Sequence, residues 1–383
     1  MRYQRIFTIV LDSFGVGQAQ DAKAFGDQGA DTYGHIQAHM SLHLPHLRKL
    51  GLDALYTPQA HQGIALRLAE QGPSKDTLSG HWELMGVPVD VPFQVFSSFP
   101  QDLIQELEKE TQHTFIGNKA ASGTQILSEL GHVETQTQGK TLILYTSADS
   151  VLQICGNEEI LGLEELYRVC TIARKLTMQP PWKVGRVIAR PYIIRQGQYI
   201  RTDHRKDLAL APIRPTVLDL LPYTIGIGKI SDIFSGHGIS ESYHSTSSVH
   251  GMKQTIAMQE KDFQGLCFTN LVDFDAKWGH RRNVAGYGHE LERFDVLLGA
   301  FLKRMRTDDL LILTADHGND PTWQGTDHTR ENVPCLCYSL QLHRHETLPT
   351  GSFGDVGATI LHNFNIVQPE YMIGEPIWDI FKQ

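Results

Sequence analysis

No apolar run in this 383-residue chain approaches the ~20 residues that a membrane-crossing helix requires, and the opening residues, MRYQRIFTIVLDS, hold no signal-peptide cleavage pattern. A membrane partner is therefore excluded, and a cytoplasmic location is expected. Cysteine is scarce: five residues, an odd number, with no Cys-x-x-Cys pair, which argues against a disulfide framework and a thiolate zinc site. Cys335 and Cys337 alternate on a strand-like stretch and read as reduced packing residues. Positive charge is in deficit, with 34 Lys and Arg against 43 Asp and Glu, so phosphate backbones are poor partners and nucleic acid is excluded. Low-complexity tracts and fixed-period repeats are lacking, and the 41% apolar share rules out intrinsic disorder.

What is present is a set of buried-looking strands that end in acidic residues. Ile6 to Leu11 runs into Asp12-Ser13 and a glycine loop, Leu266 to Val272 into Asp273-Phe274-Asp275, and Leu310 to Thr314 into Ala315-Asp316-His317-Gly318. Tyr223 to Ile227 ends at Gly228-Lys229. Continuous apolar runs separated by helical patterns such as Leu291 to Met305 indicate a mainly parallel α/β sheet flanked by helices, whose site lies beyond the carboxyl ends of the strands. Between residues 93 and 210 the texture changes. Leu103, Ile104 and Leu107 fall at helical spacing, Thr141 to Tyr145 alternates, Glu164 to Thr177 is helix-like and Val184 to Ile193 strand-like. This reads as a smaller α+β domain (93–210) inserted into a sheet domain made of 1–92 and 211–383.

Two familiar phosphate motifs fail. The third glycine of a dinucleotide fingerprint after Gly15-Val16-Gly17 would fall at Gln20, and a phosphate loop ending at Gly228-Lys229 would need glycine at Tyr223 and a hydroxyl at Ile230. What remains is Asp12, Asp275, His280, Asp316, His317 and His328, each just past a strand or on the following loop. Carboxylates with imidazoles and no thiolate suit Mn²⁺, Zn²⁺, Mg²⁺ or Fe. Two cations ~3.5–4 Å apart, each with about three protein ligands and open positions, is the arrangement used for in-line phosphoryl displacement. Taken singly, each Asp reads as a turn or cap and each His as a packing residue. It is the joint placement that favours metal.

Such a site needs a hydroxyl or a water to act on. Lys75-Asp76-Thr77-Leu78-Ser79-Gly80-His81-Trp82-Glu83 offers Thr77 and Ser79 ahead of a helix-like Trp82 to Met85. Either could be a simple helix cap. Either could also carry a phosphate ester at the helix end, and spacing does not choose between them.

Lys75-Asp76-Thr77, Tyr145 to Ser150, Gly185 to Pro191, Gly228 to Asp232, Asn270 to Arg282, and Thr314 to Arg330 with its Ala-Asp-His-Gly-Asn-Asp and Thr-Asp-His-Thr-Arg runs closely resemble the phosphopentomutase family of the alkaline phosphatase superfamily. The resemblance spans nearly the whole chain. It implies an alkaline-phosphatase-like core with an inserted cap domain, and interconversion of α-D-ribose 1-phosphate with D-ribose 5-phosphate and of the 2-deoxyribose pair, linking nucleoside breakdown to pentose phosphates. It implies two Mn²⁺ ions, priming by glucose 1,6-bisphosphate or a similar sugar bisphosphate, and Thr77 as the residue that carries the phosphoryl group. Asp12, Asp316 and His317 would hold one metal with the Thr77 oxygen, and Asp275, His280 and His328 the other. Arg186 and Lys229 are implied for the distal phosphate, with Ser147 and Asp149 near the sugar hydroxyls. A mutase must also keep water from the phosphothreonine, a task for closure of the inserted domain. Rival readings are a superfamily phosphatase, a metal-dependent phosphoglycerate mutase, for which serine rather than Lys-Asp-Thr is expected, and a metal-binding sensor without turnover.

Overall fold

Every residue of the strand Arg5–Leu11 is buried, and the strand lies between two others in the middle of its sheet. Gly265–Leu271 pairs with it in parallel on one side and Asp309–Thr314 on the other. Thr224–Ile227 and then Glu241–Tyr243 extend the sheet, also in parallel, beyond Gly265–Leu271. On the far side Val333–Tyr338 runs antiparallel to both Asp309–Thr314 and Ile64–Ala69, and two short strands complete that edge. The computed structural model describes residues 2–90, 92–147 and 150–382, in two compact units: Met1–Pro92 with Ala211–Gln383, which contains this nine-stranded sheet, and Phe93–Leu210. The fold is thus the mainly parallel α/β architecture that uninterrupted apolar runs require, with Val333–Tyr338 as its antiparallel member. Because the central strands are parallel, Asp12, Asp273 to Asp275 and Asp316 all follow carboxyl ends on one edge.

The long helix beside this sheet is Val284–Leu302, beginning seven residues before the expected Leu291. Asn283 caps it by accepting from the Gly286 N–H at 2.8 Å. All five cysteines are buried and free. None of the helices is long and apolar enough to cross a membrane among the described residues.

In the second unit, the six-stranded sheet runs Thr114–Ala120, Thr141–Thr146, Val151–Asn157, Arg186–Arg195, Gln198–Arg201, with Lys206–Ala209 also paired to Arg186–Arg195. Helices Gln101–Thr111 and Leu163–Leu176 pack on one face against Leu142, Leu144, Leu152 and Ile154. Gly123–Gln136 covers Ile143, Tyr145 and Cys155 on the other. Thr141 to Tyr145 is therefore apolar on both faces rather than alternating, as a middle layer must be.

Candidate metal centre

The six sequence-selected ligands are brought together at the carboxyl edge. His317 Nε2 lies 3.5 Å from both Asp12 Oδ1 and Asp316 Oδ2. His280 Nε2 is 3.1 Å from Asp275 Oδ2, and His328 Nε2 is 3.5 Å from Asp275 Oδ1 and 3.2 Å from His280 Nε2. The His317 and His328 rings stack with centroids 3.9 Å apart. Asp275, His280 and His328 each offer a ligand atom within 4.8 Å of the others, and so do Asp12, Asp275 and His317, so Asp275 faces both halves of the cluster.

Local geometry explains how distant segments aim these groups. Phe274–Gly279 forms one wide turn in which the His280 N–H returns to the Asp275 carbonyl at 3.1 Å, bringing two residues five apart onto one site. Ser13 takes a left-handed backbone (φ 74°), and its N–H donates to Asp316 Oδ1 at 3.0 Å. The imidazoles are oriented by carbonyls: Nδ1 of His280 faces the Thr326 oxygen at 2.7 Å, Nδ1 of His328 that of Lys75 at 2.8 Å, and Nδ1 of His317 that of Gly318 at 3.1 Å. A proton held on each Nδ1 leaves the Nε2 lone pair for a cation. Asn270 donates to Asp12 Oδ2 at 2.9 Å and Asn319 to Asp275 Oδ1 at 2.7 Å.

The residues present fit divalent cations. Asp12 Oδ1 and Asp316 Oδ2 are buried with no hydrogen-bond partner, a costly state that a cation would relieve. Asp316 Oδ2 does stand 3.1 Å from His81 Nδ1, but that nitrogen makes its hydrogen bond to the Thr77 carbonyl at 2.9 Å. Burial, together with the charges of Asp316 and Asp275, pushes the Asp12 carboxyl well above its ordinary range. Asp275 is shifted the other way: burial opposes its ionisation, but His328 and His280 outweigh burial and hold it well below that range.

Thr77 Oγ1 stands 3.2 Å from His317 Nε2. The helix here is Thr77–Leu84, not the later Trp82 start, and its cap is neither candidate hydroxyl. Asp76 caps it, accepting from Leu78 N at 3.0 Å and Ser79 N at 3.1 Å, while the Ser79 hydroxyl lies 3.3 Å from the Asp76 N–H it accepts from. Thr77 is left at the first helical position, facing the ligand cluster, and Ser79 is turned into the interior. Gly80 permits this close docking, since a Cβ there would sit 1.9 Å from the Asp316 carbonyl oxygen.

The remaining predicted residues lie as follows. Lys229 is exposed at the carboxyl end of Thr224–Ile227, where Gly228 (φ 80°) packs on the Asn270 carbonyl, so it occupies the same sheet edge as the ligands. Within the second unit, Arg186 opens its strand opposite Val151, and Ser147 directly follows Thr141–Thr146. Both are half-buried at the end of that sheet where the chain enters and leaves the unit, since Gln94 N–H bonds the Lys183 carbonyl and Leu210 N–H the Gly185 carbonyl. Asp149 lies outside the described residues. Sequence reasoning did not single out Asn270, Asn319 and His81. Their only signal was a polar residue inside an otherwise apolar or motif-bearing run.

Sheet topology and donor set define a metalloenzyme of the alkaline-phosphatase-like class, and the chain matches the description Metalloenzyme superfamily over residues 4–368. It is 52% identical to proteins named phosphopentomutase from Clostridium beijerinckii and from Clostridium tetani, each match covering 98% of this chain and 98% of the relative. Among solved structures, the PH0037 protein from Pyrococcus horikoshii shares the fold with a TM-score of 0.50 at 12% identity, over 96% of this chain and 99% of that one. The chain belongs to the phosphopentomutase family, and is an isomerase of the phosphotransferase kind.

Proposed function

We propose that this enzyme interconverts α-D-ribose 1-phosphate and D-ribose 5-phosphate, and the 2-deoxyribose pair, through a phosphothreonine at Thr77. The observation that carries this reading is the position of Thr77 Oγ1, first in its helix and 3.2 Å from an imidazole of the ligand cluster. Two Mn²⁺ ions, held by Asp12, Asp316 and His317 and by Asp275, His280 and His328, would supply charge stabilisation for the phosphoryl oxygens.

Phosphothreonine donates its phosphoryl group to the free hydroxyl of the sugar phosphate. The bond from Thr77 Oγ1 to phosphorus breaks as the sugar oxygen–phosphorus bond forms, and the proton of the sugar hydroxyl is taken up, in the net exchange, by the released Thr77 oxygen. The resulting sugar bisphosphate turns over and returns its other phosphate to Thr77 by the reverse exchange. The positive end of helix Thr77–Leu84 favours a phosphate on its first residue. Lys229, Arg186, Ser147 and Asp149 are assigned to the distal phosphate and sugar hydroxyls on their resemblance to the family. A sugar bisphosphate such as glucose 1,6-bisphosphate would charge Thr77 before the first turnover. The reaction would join nucleoside breakdown to the pentose phosphates in the cytoplasm.

The test is to incubate Mn²⁺-loaded protein, primed with glucose 1,6-bisphosphate, with ribose 1-phosphate. Ribose 5-phosphate is the expected product. Free phosphate instead would mean a hydrolase, and an unchanged substrate would mean a binder.

A further inference from the structure

We propose that Arg330 is a positioning residue for Thr77, acting through Glu70, Ser79 and Asp76. The proposal rests on Thr77 being the phosphoryl carrier and adds what holds it in place.

Arg330 is 1% exposed, yet its guanidinium meets partners on every side. Nη2 donates to the Glu70 carbonyl at 2.7 Å, and Nη1 donates to the Ser74 carbonyl and to Glu70 Oε2, the latter at 2.6 Å. Nε and Nη2 also fork onto Asp21 at 3.0 and 2.9 Å, and the group lies over the Phe25 ring. One side chain thus grips both ends of the turn from Glu70 to Ser74, three residues before Thr77. Only a planar fork meets so many acceptors at once.

The second carboxylate oxygen of Glu70 carries the contact onward. It accepts from the Ser79 hydroxyl at 3.1 Å, and that hydroxyl also lies 2.9 Å from the Asp76 carbonyl and 3.2 Å from Asp76 Oδ2. Asp76 caps the helix that begins with Thr77. Arg330 therefore reaches the first turn of that helix through a chain of buried hydrogen bonds. Around it, the Arg330 N–H donates to Asp27 Oδ2 at 2.9 Å, the same oxygen that takes Lys75 Nζ at 2.8 Å. Two residues earlier, His328 faces the Lys75 carbonyl. The segment bearing a ligand histidine and the segment bearing the threonine are thereby fixed to one another. In-line transfer is sensitive to such placement, since a shift of about 1 Å at a reacting group can cost about 10²-fold in rate.

The experiment compares Arg330→Lys, which keeps charge but loses the fork, Ser79→Ala, which removes only the relay hydroxyl, and Thr77→Ala. Each Mn²⁺-loaded variant is assayed for bound metal, for kcat and KM with ribose 1-phosphate, and for the rate of ³²P transfer from glucose 1,6-bisphosphate to protein. Expected for Arg330→Lys is a loss of about tenfold or more in kcat and in ³²P transfer, with KM and metal content near wild type. Ser79→Ala should show a smaller loss in the same two rates. Wild-type kcat and ³²P transfer in a folded Arg330→Lys, or in Ser79→Ala should the lysine variant not fold, would overturn the proposal while Thr77→Ala stays inactive. Turnover retained by Thr77→Ala would instead overturn the nucleophile assignment, and the positioning role with it.

Discussion

Thr77 Oγ1 and His317 Nε2 are 3.2 Å apart, and the same nitrogen stands 3.5 Å from Asp12 Oδ1 and from Asp316 Oδ2. The hydroxyl thus shares its surroundings with one half of the ligand cluster while contributing none of its charge. Thr77→Ala should abolish interconversion, by more than about 10³-fold in kcat, yet leave the bound metal nearly unchanged. Elemental analysis alongside the coupled assay checks both halves. A variant that still turned over would place the nucleophile elsewhere.

Gly80 tests how closely that helix must dock. A methyl group at this position would lie 1.9 Å from the backbone oxygen of Asp316, and neither backbone segment moves freely. Gly80→Ala should push Thr77–Leu84 away from the loop bearing Asp316 and His317. The expected result is loss of most mutase activity with a destabilisation of about 1–3 kcal/mol, the usual cost of overpacking. Kinetics and denaturant melts measure the two effects, and a wild-type kcat would show that the gap is wider in solution.

Removing divalent cations should destabilise the fold. Burial and the neighbouring charges of Asp316 and Asp275 already oppose ionisation of Asp12, and buried Asp12 Oδ1 and Asp316 Oδ2 have no hydrogen-bond partner. Cations that bind only the folded chain at 100–1,000 times their Kd would contribute about 3–4 kcal/mol. Excess chelator should therefore lower the melting temperature, and added Mn²⁺ should restore it. A melting curve indifferent to both would remove the metal reading.

These relationships divide according to how local their causes are. Asp12, Asp275 and Asp316 were identifiable because an apolar run ending in an acid is a contiguous pattern, and parallel pairing then places all three on one edge. The helix start at Thr77 was not. Thr77-Leu78-Ser79-Gly80-His81 carries little apolar periodicity, since Ser79, Gly80 and His81 are buried by close backbone docking and hydrogen bonding rather than by an apolar stripe. Asn270 was hidden for the opposite reason, as a polar residue in the fully buried strand Gly265–Leu271 whose partner, Asp12, is 258 residues away. The Arg330–Glu70 pair spans 260 residues and has no local signature at all.

Glu134 makes the second unit sensitive to pH. Its side chain is fully buried on Gly123–Gln136, accepting from the Asn157 N–H at 2.6 Å and the Tyr192 hydroxyl at 2.9 Å. Burial raises its carboxyl from 4.5 to about 7, because those two hydrogen bonds favour the ionised form by less than desolvation opposes it. The folded chain therefore keeps a proton that the unfolded chain releases as pH rises from about 4.5. Stability due to this group is fully present below that pH, falls through the interval up to about 7, and is lost above it, by about 3 kcal/mol in all. Glu134→Gln retains an acceptor for Asn157 but cannot ionise. Urea unfolding at pH 5 and pH 8 should show a smaller decline in the variant than in wild type, by about that amount. Equal declines in the two proteins would mean that Glu134 is already ionised in the fold at pH 5.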